Sequence, residues 1–159
     1  MNKRLTARQT LAMLAEHMSS GDSRAAIVVN EIPLIVAAYS DEIDCVALLR
    51  FPGFLKNVYD LRSGGRLLTV NTYGSGKPLS SDLTAGPAAL GHMSSFFPII
   101  ADFVSHDAAA IDRRKQSIAQ EEWNRTWTFA QKKLQEAAWA IRDGRPLNSW
   151  RPVRTTEHF

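Results

Sequence analysis

Cysteine is nearly absent from this chain. The single Cys45 among 159 residues can close no internal disulfide, so oxidative stapling has no part in the fold. Charge of one sign is also scarce. Lys and Arg total 19 against 16 Asp and Glu, a formal net charge of +3, far below what a dedicated nucleic-acid binder carries. Long hydrophobic runs are missing too. The longest apolar interval, residues 96–104, contains Pro98 and Asp102 and falls well short of the ~18 apolar residues that span a bilayer. After the basic start at Lys3 and Arg4, residues Gln9, Thr10, Glu16 and His17 interrupt any apolar core. No secretory signal is therefore expected, and the expectation is a cytoplasmic protein with no membrane partner.

Catalytic and metal-binding patterns are equally thin. Gly74-Ser75-Gly76-Lys77 resembles part of a phosphate loop, but its glycines stand too close together. Pro78 also follows the lysine where a magnesium-binding Ser or Thr is required. His17, His92, His106 and His158 are scattered, without the paired spacing of a zinc site. Asp102 and His106 fall one helical turn apart, which reads as helix-terminal charge. Ser80, Asp82 and His92 are the residue types of an acyl-transfer triad, yet no Gly-x-Ser-x-Gly turn accompanies them. No catalytic residue, metal or cofactor is expected.

Strand signal is what the chain does have. Ala26-Ile27-Val28-Val29, the run 34–39 and the run 43–49 are dense in Val, Ile, Leu and Ala, and only short spacers part them. The first two runs are apolar on both faces, unlike a sheet with one solvated side. They therefore demand cover twice, from helices of the same chain and from further helix or a second subunit. Pro52-Gly53 ends the third run. Residues 56–61 read as a fourth strand and 66–73 as a fifth, joined through Gly64-Gly65. A polar loop follows, to about residue 86.

The rest reads as helix. Residues 6–18 form an amphipathic helix with Thr6 and Gln9 at capping-box spacing. Residues 95–105 are apolar on most sides, which implies a deeply buried helix. Residues 108–143 carry an apolar stripe through Ile111, Ile118, Trp123, Trp127, Ala130, Leu134 and Ile141, with Ser105 or Asp107 as cap and Gly144 and Pro146 as terminators. A continuous helix of that length reaches roughly 50 Å, so it either breaks near Arg113-Arg114-Lys115 or projects onto another chain. Its bases, including Lys132 and Lys133, lie among Asp112, Glu121, Glu122 and Glu136 and read as a solvated face.

These observations give one α+β domain over residues 1–147, built on an antiparallel meander of about five strands (residues 24–73) with an N-terminal helix and a helical C-terminal half. An extended basic tail follows at 148–159. The function expected is a non-enzymatic protein-interaction or assembly module. It would act through Trp123 and Trp127 on the long helix and Trp150, Arg151 and Arg154 in the tail, toward a protein partner or a second copy. A nucleic-acid-associated role for the Arg/Trp tail is the alternative. A small-ligand or enzyme pocket near residues 74–86 is the third reading.

Overall fold

The computed structural model describes residues 6–137 and 140–145. Trp150, Arg151, Arg154 and the rest of the tail lie outside the described residues. Helix α1 (Ala7–Ser20) is followed by strands β1 (Asp22–Asn30), β2 (Leu34–Ser40) and β3 (Cys45–Phe51), then the short helix α2 (Phe54–Val58). Strands β4 (Arg66–Gly74) and β5 (Ser95–Ile100) come next, then helices α3 (Ala108–Gln116) and α4 (Gln120–Ala137), and finally strand β6 (Ile141–Asp143). The protein is mixed α+β with a mostly antiparallel sheet in the order β5-β4-β1-β2-β3-β6. Thr6 caps α1 with the reciprocal capping box to Gln9, as its spacing predicts. No helix of the described residues is long and apolar enough to cross a membrane.

The first three strands form the expected meander, but the sheet grows from both of its edges. After β3 the chain passes through α2 and returns to pair β4 against β1, Ala26 opposite Leu67. Gly64, at φ +87, makes this return, and the Gly64 and Val28 main chains bond at 2.8 Å. Residues 56–61 are thus not a strand. Alternation would bury Asn57 and Tyr59, which are exposed, whereas a helical turn lets Leu55 pack into the core.

The expected helix at 95–105 is instead β5 and a 3-10 turn, Ala101–Phe103. Pro98 explains the difference, because a proline without an N–H is tolerated on an edge strand, and β5 is one. Phe96 and Ile100 then point into one core while Ile99 pairs across to Val70.

The long helix over 108–143 does break. Asp107 caps α3, Ser117 ends it just beyond Arg113, Arg114 and Lys115, and α4 restarts at Gln120. Its far end is no helix either: Ile141–Asp143 form a parallel strand on β3, with Arg142 opposite Leu49.

Both sheet faces are covered within the chain. One face, with Ala26, Val28, Val36, Ala47 and Leu49, meets Leu55, Leu61, Leu83, Met93 and Phe103 from α2 and the loops. The other, with Ile27, Ile35, Ala37, Tyr39 and Leu48, meets Trp123, Phe129, Ala130 and Leu134 of α4. The double cover that the two-sided apolar strands require is therefore supplied without a second subunit. His17 of α1 is buried. Its Nε2 lies 2.7 Å from the Val70 carbonyl, and burial holds its pKa below the ordinary value.

Candidate functional site

A cleft of about 190 Å³ opens where β3 begins. Asp44, Cys45 and Val46 line one side, the loop of Thr84, Ala85, Gly86 and Pro87 another, and Phe129, Lys132, Lys133 and Glu136 of α4 the third. Two buried carboxylates brace it.

Asp44 sits between Ile43 and Cys45, where an acid in an apolar run must find partners or stay neutral. It has a positive φ of 52°, a conformation Asp tolerates better than most residues, and its carboxylate is fully buried. Oδ1 accepts from the Tyr39 hydroxyl at 2.8 Å and Arg125 Nη1 at 2.9 Å, and Oδ2 accepts from the Ala88 N–H at 2.9 Å. Burial by itself would raise this pKa. The bonds from Ala88 and Tyr39 and the Arg125 charge overcome it and hold the carboxyl below its usual range. One side chain thus ties β2, α4 and the cleft loop together. Gly86 lies against the same residue, and any Cβ there would overlap the Asp44 carboxylate.

Asp82 faces Arg142 of β6. Arg142 Nε donates to Oδ2 at 2.6 Å and Nη2 to Oδ1 at 3.0 Å, a fork-on-fork pair with both side chains almost wholly buried. Ser80 Oγ adds a bond to Oδ1 at 2.7 Å, and Arg142 Nη1 reaches the Phe96 carbonyl at 2.8 Å. Burial alone would raise the Asp82 pKa, but the Arg142 hydrogen bonds and charge lower it on balance.

Lys133 does not bind the Asp82 carboxylate. Its Nζ donates to the Asp82 main-chain carbonyl. Burial lowers its pKa, the Asp82 charge partly offsets this, and Arg142 adds to the lowering. Cys45 beside it is an unreactive thiol, its pKa pushed by burial up to about 12.

The residues singled out in the sequence are distributed elsewhere. Trp123 is 3% exposed and packs against the sheet with Arg66 over its ring at 4.8 Å, whereas Trp127 is 38% exposed beside it. Ser80 and Asp82 do meet, but His92 is exposed. Asp102 accepts from the Leu68 N–H at 2.8 Å and from Lys115 at 2.6 Å, anchoring α3 to β4. Arg24 bridges Asp22, Asp41 and Glu122 at 2.7–3.0 Å and fastens the start of α4 to β1. Among the described residues no cluster of three or more His, Cys, Asp or Glu is placed to hold a metal ion.

Sequence reasoning missed Asp44, Arg125, Lys133 and Arg142 as site residues. The one available signal was Asp44 itself, an acid inside a strand-dense run. Compared with family models, curated proteins and solved structures, the chain matches none of them.

Proposed function

We propose that this protein binds a small organic molecule in the cleft between β3, the 84–87 loop and α4. The observation that carries the reading is the convergence of a partly buried lysine and apolar surface in one braced cleft. Phe129, Val46, Ala85 and Pro87 supply the apolar lining, and Lys133 a charged group whose pKa burial perturbs. At about 190 Å³ the space lies below the ~300 Å³ of typical drug-sized pockets, so the ligand is small. The groups present favour binding over catalysis: both braced carboxylates are already hydrogen-bonded, and the thiol is protonated. Ala85→Trp places a bulky ring on the loop side of the cleft. Fragments that bind the wild type in ligand-observed NMR are expected to lose binding to this variant. Equal binding to both would remove the cleft from the account.

Assembly through an apolar surface is a second reading, favoured by one observation. Phe54 and Val58 share a face of α2 and are 64% and 66% exposed, and large apolar side chains left in water mark interaction surfaces. Light scattering on a size-exclusion column is expected to show an oligomer that Phe54→Ser with Val58→Asp converts to a monomer. A monomeric wild type would end this reading. The nucleic-acid reading rests on tail residues outside the described structure.

A further inference from the structure

We infer that the cleft selects a small organic anion with an apolar body, a monocarboxylate of benzoate size, through the ammonium of Lys133. This rests on the cleft being a binding site at all. Among the described residues at the inner wall, two cations, Arg142 and Lys133, lie against a single carboxylate residue, Asp82. Arg142 takes both oxygens of that carboxylate and Ser80 takes a further bond to one of them. What is left for Lys133 is a main-chain carbonyl, which carries only a partial charge.

Among the described residues, no other group at the cleft settles the excess. The Asp44 carboxylate is spent on Tyr39, Arg125 and Ala88, and the Cys45 thiol is neutral. Glu136 lines the cleft within one helical turn of both Lys132 and Lys133, but it is exposed, so solvent screens its charge. A desolvated cation without its own counter-charge is costly, and a carboxylate entering the cleft would supply one. An ammonium also carries more donors than its single bond to Asp82 uses. Phe129 and Pro87, on two other sides, suit a flat apolar body.

The test compares benzoate with benzamide, which has nearly the same shape and no charge, by following the cleft amides of Val46, Ala85 and Gly86 in ¹⁵N–¹H spectra. Benzoate is expected to bind roughly tenfold or more tightly than benzamide, as a charge-assisted bond requires. Its affinity is expected to fall with added salt. It is also expected to fall as pH rises into the range where Lys133, its pKa already lowered, gives up its proton. Lys133→Met should erase the preference for benzoate, with amides remote from the cleft reporting that the fold is kept. Lys132→Met, at the exposed position, should leave most of it. Equal binding of the two probes would overturn the anionic selectivity and leave the cleft standing. If neither probe perturbs the cleft amides and no neutral fragment does, the cleft reading itself falls and this inference with it.

Discussion

Arg142→Met is expected to destabilise the fold by about 3–5 kcal/mol, the range for breaking a buried ion pair from one side. The loss would be read as a lowered midpoint in urea unfolding. The cost does not come from a lost attraction alone. Arg142 holds Asp82 with two bonds and the Phe96 carbonyl with a third, so its removal strands a buried carboxylate and a buried carbonyl together. Methionine refills the volume but satisfies neither. Among the described residues Lys133 is the remaining cation within reach, and its shift toward Asp82 would recover part of the loss while removing the excess charge from the cleft. Asp82→Asn is expected to cost a similar amount for the opposite reason, leaving the buried Arg142 and the partly buried Lys133 without a carboxylate. Acid should do the same by protonation. The Asp82 pKa is lowered in the folded state, so its contribution is complete above the ordinary value of 3.8 and is lost as pH falls below it through the folded-state value. The wild type should therefore lose stability more steeply in acid than Asp82→Asn, and equal pH dependence of the two would contradict this.

Asp44→Ala is expected to cost about 2–4 kcal/mol. Two effects add. The buried Tyr39 hydroxyl and the Ala88 N–H lose their acceptor, and alanine must occupy a positive φ of 52° that aspartate tolerates better. Asp44→Asn keeps one oxygen acceptor and the conformational tolerance but drops the charge facing Arg125, so roughly half the cost is expected. Hydrogen exchange separates this from a general weakening. In Asp44→Ala the amides of Gly86, Ala88 and Leu90, held to the turn at residues 42–44, should lose protection ahead of the β1–β2 ladder. Uniform loss across the sheet would mean that Asp44 stabilises the core and not the cleft loop.

Local pattern explains which parts of this fold were legible in the sequence. The three strands from Asp22 to Phe51 could be read because their Val, Ile and Leu residues are dense and the connections too short for anything but reversals. Thr6, and the pair Ser105 and Asp107 of which Asp107 is the cap, announced their helices through cap chemistry. The misread elements depend on partners distant in the chain. Residues 95–100 carry apolar side chains on both faces, which suits a buried helix and a covered strand equally, and only the pairing with β4 decides it. Ile141 continued the helical stripe by spacing, yet β3 captured it as a parallel strand. The double apolar character of β1 and β2 did foretell cover on both faces. What it left open was whether the second face would be covered by the same chain or by a second subunit, and α4 together with α2 and the loops covers both.

The site was less legible for the same reason. Asp82 and Arg142 lie 60 residues apart and Asp44 and Arg125 lie 81 apart, and no spacing rule links either pair. Lys132 and Lys133 read alike in sequence, as a solvated face. In the fold Lys132 is exposed while Lys133 turns inward to the Asp82 carbonyl. That one-residue difference in helical phase turns a surface base into the cleft's charged group.

The most direct measurement is a crystal structure of the protein grown with benzoate. The account predicts the ring between Phe129 and the Ala85–Pro87 loop, with a carboxylate oxygen within hydrogen-bond distance of Lys133 Nζ. A cleft left empty while benzoate occupies another surface, or benzoate bound with its carboxylate turned out to solvent away from Lys133, would contradict it.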